Sequence, residues 1–78
     1  MSRPAELLEE IVRGLVDRPD QVAVEEEDVG ESVVLHVRVD PDEIGRVIGR
    51  QGRTVKALRT LLELRSSDGV YYELEVDE

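Results

Sequence analysis

Seventy-eight residues with 40% hydrophobic content suffice for one small domain with a modest core. The chain has no cysteine, which excludes disulfides and thiolate metal sites, and a single histidine, His36, which excludes a histidine metal cluster. A net charge of −9 opposes indiscriminate binding to polyanions. No apolar run is long enough to span a membrane, and Met1–Glu6 lacks the apolar stretch of a signal peptide, so a cytoplasmic location without membrane attachment is expected. A carboxylate-only Mg²⁺ or Ca²⁺ site is open by count, but no Asp-x-Asp-x-Asp loop is present, and we expect neither metal nor cofactor.

Ser2 is placed to cap a first helix, with Pro4 in its opening turn. Ala5, Leu8, Ile11, Val12 and Leu15 recur at helical spacing, opposite Glu6, Glu9, Glu10 and Arg13. Pro19 disfavours helical geometry at Arg18 and stops the helix. Gln21–Glu25 alternates as a strand, and the acidic run Glu25–Asp28 with Val29-Gly30-Glu31 reads as a solvated hairpin loop. Ser32–Val39 is the clearest strand: Val33, Leu35, Val37 and Val39 share one face, and Ser32, Val34, His36 and Arg38 the other. With no Ser, Cys or carboxylate pattern suggesting a triad, His36 reads as a surface residue.

Asp40-Pro41-Asp42-Glu43 has the form of a helix start, with Asp40 as N-cap and Glu43 at capping-box spacing. Ile44, Val47 and Ile48 form one apolar face of a very short helix that ends at Gly49. After Gly52 a longer helix runs to about Arg65, with Val55, Leu58, Leu61 and Leu62 expected to be buried and Arg53, Lys56 and Arg59 directed away. Ser66–Gly69 reads as a loop and Val70–Val76 as a last alternating strand. The order α-β-β-α-α-β, with one apolar face per strand, predicts an α+β domain spanning 1–78: three helices on one face of a three-stranded mixed sheet, the first two strands forming a hairpin.

Charge is distributed unevenly. Ile44–Ser66 contains six of the ten basic residues and one acid, a local net charge of +5 within an acidic protein. At its centre is Gly49-Arg50-Gln51-Gly52, a break between two helices. Glycine allows backbone angles that a Cβ resists and lets a ligand approach closely. Backbone N–H groups at the start of the next helix have no intrahelical partner and favour an anion, for which a phosphodiester backbone is a natural occupant.

Val47-Ile48-Gly49-Arg50-Gln51-Gly52-Arg53-Thr54-Val55 resembles the KH-domain signature V-I-G-x-x-G-x-x-I, and the element order is that of the type II, bacterial KH fold. The resemblance covers essentially the whole chain and extends to the small stand-alone KH proteins of the KhpA family. It implies a non-catalytic, cofactor-free binder of single-stranded RNA, acting in post-transcriptional regulation or RNA chaperoning. By position, Gly49, Arg50, Gln51 and Gly52 would clamp the backbone of about four nucleotides, with Arg46, Arg53 and Lys56 nearby. Ile44, Val47, Ile48 and Val55 would shape or support an aliphatic groove, with Ser32–Val39 as its other wall and Arg38 as a wall residue. The family likeness also implies a homodimer or a pairing with a larger KH-containing RNA-binding protein.

With two Tyr, no Phe and no Trp, an aromatic stacking platform is not expected. The alternative function is a protein-interaction or dimerisation module that keeps the KH fold and binds RNA weakly or secondarily. An enzyme is disfavoured, since there is no nucleophile–base pair, metal cluster or G-x-x-x-x-G-K-[ST] motif.

Overall fold

The computed structural model describes residues 2–65, without the side chain of Arg65, and residues 69–77. Helix α1 spans Arg3–Leu15; strands β1 and β2 span Ala23–Asp28 and Val33–Arg38; helices α2 and α3 span Ile44–Ile48 and Arg53–Arg65; strand β3 spans Tyr72–Val76. Single 3-10 turns occupy Pro19–Gln21, Pro41–Glu43 and Arg50–Gly52. The sheet order is β1-β2-β3, with β1 antiparallel and β3 parallel to β2. This is the mixed α+β architecture expected from the element order. The loop expected at Ser66–Asp68 lies outside the described residues.

One core joins all six elements. Ala5, Leu8 and Val12 of α1, Val24 of β1, Leu35 and Val37 of β2, Val47 of α2, Val55, Leu58 and Leu62 of α3 and Leu74 of β3 are buried together. Leu35 and Val37 are fully buried because the central strand carries neighbours on both edges and helices on one face. Ser2 caps α1 as expected, its hydroxyl accepting from the Ala5 N–H at 3.2 Å.

Three local expectations are corrected. The acidic run Glu25–Asp28 belongs to β1 and pairs with β2 in the register Glu25↔His36, Glu26↔Leu35, Glu27↔Val34, Asp28↔Val33. Tertiary context overrides the weak strand propensity of acids: Glu25 meets Arg38 and Glu27 meets His36, while Glu26 accepts from the Ser2 N–H and is held below the usual carboxylate range by it. The hairpin loop shrinks to Val29–Ser32, where Asp28 Oδ1 accepts from the Gly30 N–H at 2.9 Å.

Leu61, expected in the core, is 41% exposed, because α3 buries the narrower stripe of Val55, Leu58 and Leu62. Glu43 does not complete a capping box. Asp40 caps the 3-10 turn through the Asp42 N–H, at 2.9 Å, whereas the Glu43 carboxylate is 6% exposed and accepts from the N–H groups of Asp17 and Arg18. One buried carboxylate thereby ties the segment leaving α1 to the start of α2.

Candidate nucleic-acid interface

The turn after α2 is built by its glycines. Gly49 has φ 79° and ψ 169°, a conformation essentially reserved for glycine. A Cβ there would lie 2.2 Å from Thr54 Oγ1, 2.6 Å from Thr54 Cβ and 2.8 Å from the Thr54 nitrogen. Gly49 is therefore required both by its backbone angles and by the side chain folded over it. Gly52 has φ 73° with open space around its missing Cβ. Between them Gln51 has φ 59°, and is the one non-glycine residue with positive φ among the described residues.

Hydrogen bonding closes this turn on itself. The Gly49 N–H donates to Gly45 O at 2.8 Å, the Gly52 N–H to Gly49 O at 3.1 Å, and the Arg53 N–H to Arg50 O. The donors of Gly52 and Arg53 are thus spent internally. Those of Arg50 and Gln51 open the helical turn and, by position, have no partner within it. Arg50, Gln51, Arg53 and Lys56 are exposed, and Arg53 Nη2 donates to Gln51 Oε1 at 3.2 Å, which holds the guanidinium beside the turn.

The ion pairs decide which cations are available. Arg13 pairs with Glu9, Arg18 with Asp40, Arg38 with Glu25 and Asp77, and Arg46 with Asp17. Among the described residues, Arg50, Arg53, Lys56 and Arg59 form no ion pair, and Arg3 in α1 is the other such cation. The uncompensated positive charge is concentrated on the turn and α3. Arg46, expected beside the turn, directs its guanidinium to Asp17 Oδ2 at 3.0 Å instead.

The aliphatic residues separate into two roles. Val47 and Val55 are buried in the core and offer no surface; Ile44 and Ile48 are half-buried and can touch a ligand. A groove between the start of α2 and the end of β3 is lined by Val39, Pro41, Ile44 and Val76, with Arg38, Glu75 and Asp77. The strand expected to form its wall is the central β2, whose backbone is paired on both sides over Val33–Val37. The unpaired strand edge next to α2 therefore belongs to β3. Arg38 does reach this groove, with its guanidinium engaged by Asp77.

Contacts not indicated by the sequence complete the picture. Thr54 covers Gly49, Glu43 fixes the base of α2, and Asp17 occupies Arg46. The partners of Glu43 and Asp17 lie 25 to 29 residues away in sequence, so no local pattern signals them.

A mixed β1-β2-β3 sheet, three helices in the order α-β-β-α-α-β and a Gly-x-x-Gly turn joining α2 to α3 define a KH domain of type II. Comparison with known proteins narrows the class. The sequence model of the KhpA/KhpB KH domain matches residues 5–76, and the chain belongs to that family, a non-enzymatic one. Its relatives include the RNA-binding protein KhpA of Streptomyces coelicolor, 48% identical over 69 residues that cover 88% of this chain and 87% of that one. The RNA-binding protein KhpA of Chlamydia muridarum is 42% identical over 74 residues, covering 94% of this chain and 95% of that one. The crystal structure of Era in complex with MgGDPNP and nucleotides 1506-1542 of 16S ribosomal RNA superposes with a TM-score of 0.64 at 26% identity, covering 94% of this chain and 29% of Era. No helix among the described residues is long and apolar enough to cross a membrane.

Proposed function

We propose that this chain is a non-catalytic, cytoplasmic RNA-binding protein whose Gly49–Gly52 turn clamps the backbone of about four single-stranded nucleotides. The observation that carries this reading is the coincidence of the glycine-built turn with Arg50, Arg53, Lys56 and Arg59, cations that form no ion pair among the described residues. The names of the KhpA relatives support it. Phosphates would meet the N–H groups of Arg50 and Gln51 and the neighbouring guanidinium and ammonium groups. Bases would lie against Ile44 and Ile48, toward the edge of β3. The acidic remainder repels phosphate elsewhere and confines binding to this region.

Four such cations limit the salt dependence. Each neutralised phosphate on a single strand contributes about −0.7 to the slope of log K against log salt, so the slope should be no steeper than about −3. Fluorescence anisotropy with a labelled single-stranded oligoribonucleotide at several salt concentrations measures it. A steeper slope, or equal affinity for duplex and single strand, would contradict the clamp.

The second part of the reading is that the chain works as a homodimer or with a larger KH-containing partner, in post-transcriptional regulation or RNA chaperoning. Leu61 and Leu64, three residues apart on α3 and 41% and 76% exposed, favour an apolar contact there. Joining two small sites raises affinity through effective concentration. Leu64→Lys should leave folding intact and lower the mass measured in solution by light scattering; an unchanged mass would remove Leu64 from the contact.

A further inference from the structure

The helix-free face of the sheet carries a cluster of titratable side chains away from the Gly49–Gly52 turn. His36 lies at its centre on β2, paired in register with Glu75 of β3. Side chains alternate across a strand, so Glu75 and Asp77 project to the same face as His36. The Asp77 N–H donates to Val37 O at 2.9 Å and continues the ladder past the end of β3, which fixes the Asp77 backbone. All three side chains are thus mounted on paired sheet backbone, the kind of support that holds a site's geometry.

Their polar atoms converge. His36 Nδ1 is 3.3 Å from Asp77 Oδ1 and 3.9 Å from Glu75 Oε2, and one ligand atom from each of the three residues lies within 4.8 Å of the others. Four ligands at about 2.0–2.1 Å from a tetrahedral ion stand about 3.3 Å apart. The observed separations need only side-chain adjustment to reach that value. The other ring nitrogen, Nε2, is 3.2 Å from Glu27 Oε1. A carboxylate on the second nitrogen is the arrangement that fixes the tautomer of a metal-bound imidazole. When Nε2–H donates to Glu27, the Nδ1 lone pair faces two carboxylate oxygens, an arrangement made favourable by a proton on Nδ1 or by a metal cation between them. Arg38 occupies Asp77 Oδ2 and Glu25 and leaves Oδ1 of Asp77 to the cluster.

We propose that His36, Glu75 and Asp77 form a site for one divalent transition-metal ion of borderline softness, such as Zn²⁺, with Glu27 orienting the imidazole and water completing the coordination. The mixed nitrogen and oxygen donor set suits such an ion better than Mg²⁺ or Ca²⁺, which take oxygen ligands. A proton competes for Nδ1. Glu25 and Glu27 of β1, Glu75 and Asp77 beside β3, and Arg38 on His36's own strand are the charged groups around it. Glu27, then Asp77, raise the imidazole above its ordinary pKa, so affinity should increase as the proton leaves on going from pH 6 to pH 8.

The test is isothermal titration of the metal-free, full-length chain with ZnCl₂ in a non-chelating buffer. One equivalent should bind, His36→Ala and Asp77→Asn should each weaken binding at least tenfold, and Mg²⁺ should not compete. Circular dichroism should match wild type for both variants, and His36→Ala, which does not line the groove beside α2, should retain RNA affinity. Should one variant fail to fold, the other alone decides the outcome. Equal Zn²⁺ affinity in the folded variants would reduce the cluster to a diffuse acidic surface and overturn the proposal, as would the absence of saturable binding to wild type.

Discussion

Replacing Gly49 with alanine separates two costs that the turn imposes. The φ/ψ pair at this position penalises any L residue by about 1–3 kcal/mol. The added Cβ also meets Thr54 Oγ1, Thr54 Cβ and the Thr54 nitrogen at 2.2, 2.6 and 2.8 Å, so the first turn of α3 must shift. Overpacking of that kind costs a further 1–3 kcal/mol or so. A domain of 78 residues holds roughly 4–12 kcal/mol in total, so Gly49→Ala should remove a large fraction of it. Gly52→Ala is the control: its Cβ meets nothing within 4 Å, and only the positive φ remains, at about 1–2 kcal/mol. Urea denaturation followed by far-ultraviolet circular dichroism should give a loss about 2–3 kcal/mol larger for Gly49→Ala. Adding Thr54→Ala should restore little, because it removes Oγ1 but leaves Cβ and the backbone nitrogen. Equal losses for the two glycine variants would refute the reasoning.

Three further outcomes follow from side-chain pairing. Asp17→Asn should release Arg46; because both groups are exposed, stability should change by less than about 1 kcal/mol, while RNA affinity rises and its salt slope steepens by about 0.7, measured by anisotropy. Glu43→Ala leaves the N–H groups of Asp17 and Arg18 without their acceptor and should cost about 2–4 kcal/mol in urea denaturation, partly recovered by glutamine. In EDTA, the stability gap between wild type and His36→Gln should be widest near pH 5–6 and close as pH rises through the raised imidazole value, because the charged form is the one its carboxylates favour. That gap should also narrow in strong acid, as pH falls through the value of Asp77, which His36 and then Arg38 hold below the ordinary carboxylate range.

Much of the fold was legible because period and capping agreed with it. The stripe of Ala5, Leu8 and Val12, the alternation through Leu35 and Val37, and Ser2 before α1 each imposed one local answer that packing retained. The extent of β1 was not legible, since Glu25–Asp28 become a strand through pairing with β2 and through partners at Ser2, His36 and Arg38. Spacing marked the Gly49–Gly52 turn but could not show that Thr54 folds over Gly49 or that Asp17 holds Arg46. Of the expected wall Ser32–Val39, Arg38 and Val39 line the groove; that β2 is central and that β3 has the free edge is revealed only by strand pairing.

The central claim is that the exposed turn, rather than the fold in general, meets the phosphate backbone. Arg50 and Gln51 are both exposed, so replacing the pair with aspartate while keeping both glycines leaves the core unchanged and sets two carboxylates against phosphate. Anisotropy titration of Arg50→Asp/Gln51→Asp with a short single-stranded RNA, alongside its circular dichroism spectrum, is the most direct measurement. The clamp predicts a native spectrum with RNA affinity lost; a native spectrum with unchanged affinity would contradict it.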